Sequence, residues 1–270
     1  MKYIRMFRRA LLCVPCLLIF CGLAQVQVGL DALLGRLSEH TLDRRVLWDL
    51  EAHPPDARIL PALRAAFEKR SDKEGKQWIA VSVLRLGERS NTYFDFLAAY
   101  ATKAIDDRTP AFFRVDGQGH AVRGEFSVEF LSWCAANGED PKLTAAKQLS
   151  EYPQDVSFLA EAEDARADGL FRRGLDSPNP GVVGYSVEGL GRLGDVSALP
   201  LIEGAAKHVA GGPLIIEMYL PWYNRPEAYA LLQRLEPNPK TRDGLIRQVA
   251  IARENESRRV LSRTKGASRQ

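Results

Sequence analysis

An all-α fold built from stacked helical pairs is what this sequence predicts, and three observations predict it. First, the chain copies itself: Asp56-Ala57-Arg58 recurs as Asp164-Ala165-Arg166, with Leu63, Arg64 and Phe67 matched by Phe171, Arg172 and Leu175 at one fixed offset. Second, the copy runs on into the next segment, where Ala80, Val83, Leu86, Gly87, Glu88 and Ser90 correspond to Val187, Leu190, Leu193, Gly194, Asp195 and Ser197, the offset shortened by a single loop residue. Third, from Gly29 onward apolar residues recur at the three- and four-residue spacings that line one side of a helix. A helical pair cannot bury its apolar stripe alone, so copies stack and share a continuous core. With 46% hydrophobic and 26% charged residues over 270 positions, the composition is that of a folded chain.

The elements follow in order. Leu30, Leu33, Leu34 and Leu37 form one face of a first helix, and Leu42, Val46, Leu47 and Leu50 one face of a second. His53-Pro54-Pro55 ends the second, because proline disfavours helical geometry in the residue before it, and Asp56 caps the third. Leu60-Pro61 lies in the first turn of that helix, where a missing backbone donor costs least, and Asp195 is followed by Leu199-Pro200 at the same spacing. Aspartates at helix starts read as caps and not as ligands. Further helices are expected near 72–86, 91–105, 125–137, 142–150, 154–161, 164–175, 179–193, 195–208, 212–220, 225–235 and 238–260. One segment departs from the pattern: Phe112-Phe113-Arg114-Val115 and His120-Ala121-Val122-Arg123 flank the turn Asp116-Gly117-Gln118-Gly119 and predict a short β-hairpin near 111–123, inside an insertion spanning 106–124.

The first 24 residues stand apart. Lys2, Arg5, Arg8 and Arg9 precede an apolar run from Ala10 to Leu23, and Gly22-Leu23-Ala24 supplies small residues for cleavage before Gln25. This is the three-part pattern of a secretory signal peptide, cleaved after Ala24, and it predicts a periplasmic or extracellular protein. An uncleaved anchor would need a longer apolar run than Gln25 and Gln27 allow, and lipid attachment at Cys21 is disfavoured by the bulky Phe20 beside it. Cleavage removes four cations and no acid, so the formal charge of +3 becomes −1 and no general affinity for nucleic acid is implied. It also removes Cys13, Cys16 and Cys21, leaving Cys134, which reads as a buried, inert thiol beside Trp133. The remaining basicity lies in 253–270, where Arg253, Arg258, Arg259, Arg263, Lys265 and Arg269 form a tail expected to fray or be disordered, with weak contact to an anionic surface as its functional alternative.

Paired amphipathic helices, the Leu-Gly endings at Leu86-Gly87 and Leu193-Gly194, the acids Glu88 and Asp195, and the Asp-x-x-x-Leu-Pro opening together resemble HEAT repeats, most clearly over Asp176–Ala210 and next over Asp56–Ile105. Over about half the chain the match is convincing; the part from Asp106 to Glu163 holds the insertion and a degenerate echo at Trp133 to Glu139. More narrowly, the chain looks like exported bacterial HEAT-repeat proteins. The resemblance implies a right-handed α-solenoid over 25–252 used for protein interaction, and it brings no catalytic residue with it.

No chemistry-bearing motif survives comparison with the repeat. Gly189-Leu190-Gly191-Arg192-Leu193-Gly194 matches the dinucleotide fingerprint G-x-G-x-x-G literally, yet its counterpart Ser82-Val83-Leu84-Arg85-Leu86-Gly87 keeps only the apolar spacing and the last glycine, so Gly87 and Gly194 read as helix C-caps. His40, His53, His120 and His208 are scattered with no metal-ligand spacing, and no G-x-S-x-G elbow occurs. No catalytic residue, cofactor or metal is therefore assigned. The functional expectation is an interaction module for a protein or extended peptide, with Asp116 and His120 on the hairpin and Tyr93, Phe96, Tyr100, Trp222 and Tyr223 as candidate partner-binding residues. The alternative is a helical-repeat enzyme acting on an envelope substrate through Asp116 and His120 of the 106–124 hairpin.

Overall fold

The computed structural model describes residues 29–115, 121–209 and 212–267. Over these residues the chain is all-α apart from one two-stranded antiparallel sheet. The helices are α1 (Leu30–Arg36), α2 (Arg44–Ala52), α3 (Ile59–Lys69), α4 (Lys73–Arg85) and α5 (Asn91–Asp106); then β1 (Phe113–Val115) and β2 (Ala121–Phe126); then α6 (Val128–Asn137), α7 (Pro141–Ala146), α8 (Tyr152–Glu161), α9 (Asp168–Gly174), α10 (Pro180–Leu193), α11 (Leu199–His208), α12 (Gly212–Tyr219), α13 (Pro226–Leu235) and α14 (Pro239–Ala267). Short 3₁₀ turns at Ala165–Ala167, Val196–Ala198 and Leu220–Tyr223 lead into or out of them.

The copied letters fold into copied geometry. Asp56 accepts from the Arg58 N–H at 2.9 Å and Asp164 from the Arg166 N–H at 3.0 Å, each held also by its own arginine side chain. Both helix ends use glycine in the left-handed region, Gly87 at φ 94° and Gly194 at φ 72°. There the Glu88 N–H reaches the Val83 carbonyl and the Asp195 N–H the Leu190 carbonyl, closing the last turn in the same way. Gly138, at φ 67°, repeats the device at the end of α6, with Glu139 N–H on the Cys134 carbonyl. Side chains tie the copies as well: Arg64 pairs with Glu88, and Arg172, at the matching position, pairs with Asp195.

Helix packs on neighbouring helix along the chain: α3 on α4, α4 on α5, α5 on α8, α8 and α9 on α10, α10 and α11 on α12. One apolar core runs through all of them, from Leu30 and Leu33 through Leu63, Ile79, Leu97, Phe158, Phe171 and Leu190 to Leu232. The hairpin together with α6 and α7 has a small core of its own, Phe130, Cys134 and Ala145, with Phe112, Phe126 and Trp133 packed on it. β1 and β2 pair Phe113 with Phe126 and Val115 with Ala121, the register shifting between them.

Three expectations are corrected. Helices predicted separately at 142–150 and 154–161 are joined: a π turn at Lys147–Glu151 carries α7 into α8 straight through Pro153. Pro153 has no N–H to donate to the preceding turn, and the Gln148 carbonyl instead accepts from Asn179 Nδ2 at 2.9 Å. Gly189 and Gly191, which the earlier copy replaces with Ser82 and Leu84, are nonetheless closely packed here. A Cβ on Gly189 would lie 2.5 Å from the Phe171 ring, and one on Gly191 would lie 2.9 Å from the Tyr223 nitrogen. Both glycines are inside α10, which leaves no phosphate-binding loop there. Finally, the boundary placed at Arg253 falls inside α14, a single helix of 29 residues that turns back to pack on α2 as well as on α12 and α13.

Candidate functional site

Two regions carry side chains that the core does not need. The first is a buried network of charge shared by α2, α4, α8, α10 and α14, where α14 returns onto α2. From α2, Arg44 donates to Glu161 of α8 at 2.7 Å, and its guanidinium lies over the Trp78 ring at 3.6 Å and the Trp48 ring at 4.6 Å. Glu51, also on α2, accepts from the Ser82 hydroxyl at 2.6 Å and faces Arg85 at 3.5 Å. From α10, Arg192 is 4% exposed and is held by Glu188 at 2.8 Å, Glu163 at 2.9 Å and Glu256 of α14 at 3.0 Å, with the Trp222 ring 4.0 Å away.

Burial pushes the Glu161 carboxyl above the usual carboxylate range against the pull of Arg44 and Arg192, and burial raises Glu188 against the pull of Arg192. For Arg192 burial works against the charge, but Glu188 and Glu256 outweigh it and raise its pKa, so the guanidinium stays protonated. Glu163 sits in the left-handed region at φ 52°, where the other ends described above use glycine; a side chain there costs about 1–2 kcal/mol. Chemically, the network is a row of satisfied ion pairs backed by indole rings. It holds helices in register, and it offers both a stacked-cation seat and a carboxylate-binding arginine.

Two orphaned atoms mark imperfect closure of this region. Arg253 of α14 lies over Trp222 at 5.5 Å, its Nε buried without a hydrogen-bond partner, and Arg44 Nε is buried likewise. Burial, with Arg192 close by, pushes the Arg253 guanidinium below the usual arginine range. Sequence reasoning missed this network. Its signal was Glu188 four residues before Arg192 in a stretch otherwise rich in apolar and small residues, a spacing that pairs side chains on one helix face.

The second region is the pair of helices after the insertion, α6 and α7, with the π turn that follows them. Among the described residues nine large hydrophobics are exposed, and four of them, Val128, Leu131, Leu143 and Leu149, fall on α6, α7 and the π turn. Val128 is 71% exposed, Leu143 66% and Leu149 70%. Gln148, buried beneath, fixes this part to the body: its amide donates to the Thr109 and Pro110 carbonyls and accepts from the Phe112 N–H at 3.0 Å. Acids outnumber bases here, with Glu125, Glu129, Glu139, Asp140 and Glu151 against Lys142 and Lys147 over 125–151.

The residues singled out from sequence fall elsewhere. Asp116 and His120 lie outside the described residues. Tyr93, Phe96 and Tyr100, spaced along one face of α5, turn inward: Phe67 meets the Tyr93 and Phe96 rings at 5.1 Å each, and Phe96 meets Tyr100 at 5.2 Å. Tyr93 is a core residue, and Phe96 and Tyr100 are half-buried. Trp222 and Tyr223 are buried in the Leu220–Tyr223 turn, so Tyr93, Trp222 and Tyr223 belong to the core, while Phe96 and Tyr100 keep part of their surface in solvent. Among the described residues no three His, Cys, Asp or Glu side chains converge to hold a metal ion, and no helix is long and apolar enough to cross a membrane. Compared with known proteins, the chain matches no family model and no curated protein.

Proposed function

We propose that this chain is an exported right-handed α-solenoid of HEAT-like pairs that binds another protein, or an extended peptide, in the periplasm or outside the cell. Export rests on the basic and apolar N-terminal pattern ending at Ala24. The solenoid reading is supported by the matched caps, glycine ends and Arg–acid ties of the two copies. One observation carries the binding role: α6, α7 and the π turn, the helices that follow the insertion, keep Val128, Leu131, Leu143 and Leu149 in solvent over a separate small core. Exposed apolar side chains gathered on one unit are a recurring mark of an interaction surface, and the surrounding acids favour a partner with basic flanks.

The test is site-specific photo-crosslinking in the full chain expressed in its own host. A photoreactive residue at Leu143 or Leu149 should give a discrete adduct in the envelope fraction, and the same residue at Lys240, exposed on α14, should not. Leu131→Asp, Leu143→Asp and Leu149→Asp combined should abolish the adduct formed from Val128 while leaving thermal unfolding within a few degrees, since partly or largely exposed positions tolerate polar substitution. Adducts indistinguishable from those at Lys240 would overturn the reading. Any weak contact of the basic tail with anionic surfaces should vanish on deleting 257–270, measured by sedimentation with anionic vesicles.

A further inference from the structure

We infer that Glu217 is a proton-operated latch at the joint where α13 turns into α14: protonated, it lets α12 and the joint close on each other, and ionised, it holds them apart. The latch belongs to the frame and not to the exposed apolar side chains of α6 and α7, so it stands whatever the protein binds.

Five acids are buried among the described residues, and four of them face a cation. Glu51 accepts from the Ser82 hydroxyl and faces Arg85, Asp155 pairs with Lys73 at 2.8 Å, Asp164 with Arg166 at 2.7 Å and Glu188 with Arg192 at 2.8 Å. Glu217 is the exception. It is 6% exposed, beside the fully buried Ile216 on α12, and it makes no hydrogen bond or ion pair among the described residues. Burial without a cation penalises the charged form of a carboxylate.

The elements around it bring no cation to bear. α12 packs on α10, α11, the Leu220–Tyr223 turn, α13 and α14. Arg192 of α10 is engaged by Glu188, Glu163 and Glu256, Arg234 of α13 by Glu203, and Arg242 of α14 by the Glu236 and Pro237 carbonyls. Lys207 of α11 acts on Glu203, and Arg253 of α14 lies over Trp222. Among the described residues, Glu236 at the end of α13 is the one charged group on these elements that acts on Glu217, and it carries the same charge; Tyr185, His208, Tyr223, Tyr229, Lys240, Asp243 and Arg247 do not.

Glu236 is also what shapes the joint. Its Oε1 accepts from the Asn238 N–H at 2.7 Å and its carbonyl from Arg242 Nη1 at 3.1 Å, so its carboxylate is fixed in the turn that starts α14. Ionising Glu217 sets a second negative charge against a group that the joint holds in place. Burial, and then Glu236 beside it, push the Glu217 carboxyl above the usual carboxylate range. A folded pKa above the unfolded one gives a contribution that is present in acid and lost as pH rises through the raised value. The joint is therefore closed at low pH and looser at high pH.

The experiment is hydrogen–deuterium exchange of the full chain at pH 5 and pH 8, each amide rate being divided by its unstructured rate at the same pH. Protection over 213–220 and 235–242 should fall by about threefold or more between pH 5 and pH 8, relative to α4 in the same sample, which corresponds to about half a pKa unit of linkage. Glu217→Gln keeps the shape and cannot ionise, so it should abolish that fall, and Glu236→Gln should reduce it. An unchanged ratio in the unmodified chain, or an undiminished fall in Glu217→Gln, would overturn the proposal. Carbon-13 NMR of the Glu217 side-chain carboxyl in the unmodified chain gives a readout that needs no variant: its titration midpoint should lie above the ordinary glutamate value of about 4.3, and a midpoint at or below that value would overturn the proposal.

Discussion

Replacing Gly189 with alanine isolates the demand that α10 makes on its neighbours. An added Cβ would stand 2.5 Å from two atoms of the Phe171 ring, well inside contact distance, and Phe171 is 1% exposed with no free volume to turn into. Overpacking of this kind costs about 1–3 kcal/mol. The substitution also gains about 0.5–1 kcal/mol, because alanine loses less backbone entropy than glycine in a helix interior. The net is a loss of about 0–2.5 kcal/mol, which for a chain of this size lowers Tm by up to roughly 10 °C. Gly204→Ala is the matched control. Gly204 is also helical, in α11, but nothing lies within 4 Å of the added Cβ, so only the entropic gain operates and Tm should rise by roughly 1–4 °C. Both values come from thermal unfolding followed by far-UV circular dichroism. A Gly189→Ala protein that unfolds at or above the temperature of Gly204→Ala would show that α10 is not packed as described.

Arg192→Met should cost about 3–5 kcal/mol, read as a lower urea midpoint, because it strands the buried Glu188 without its cation; Glu188→Leu added to Arg192→Met should recover much of the loss, and a double variant no better than the single would refute the pairing. The side chain and N–H of Arg58 hold Asp56 at about 2, below its unfolded value of 3.8, so the stability it contributes is present above about pH 4 and lost as pH falls through 2; Asp56→Asn should therefore flatten the acid limb of a urea-midpoint profile between pH 5 and 2. Glu161 has the opposite sign: burial raises its folded pKa, so its contribution is present below about pH 4.5 and is lost as pH rises through the raised value. Glu161→Gln should raise the urea midpoint at pH 8 relative to the parent by more than it does at pH 4.

What was legible in the sequence is what local physics dictates. Leu86-Gly87 and Leu193-Gly194 could be read as helix ends because a left-handed residue strongly prefers glycine, and Asp56, Asp164 and Asp195 as caps because their oxygens reach N–H groups two residues away. The tie between Arg64 and Glu88 was visible only as letters that recur at Arg172 and Asp195; their pairing needed the turn between two helices. The break expected between 150 and 154 failed because Asn179, the cap of α10, satisfies the Gln148 carbonyl there. Periodicity gives a helix over 238–260, as found in Pro239–Ala267, but not the surface it packs on. Its stripe is short and polar, so Arg253 and Glu256 read as solvated tail charge, whereas their setting comes from Arg192 and Trp222, far away in the chain. Spacing alone did not set the burial of the α5 aromatics, since a stripe such as Tyr93, Phe96 and Tyr100 suits a buried face as readily as an exposed one; Tyr93 is buried and the other two are half-buried.

The return of α14 onto α2 has a mechanical meaning. A row of helices in which each touches only its neighbours yields at the ends first, one helix at a time, and damage at one end is not felt at the other. Here the last helix grips the second, so the two termini of the row share a fastening. Loosening that contact should soften α2 as well as α14, although some two hundred residues separate them.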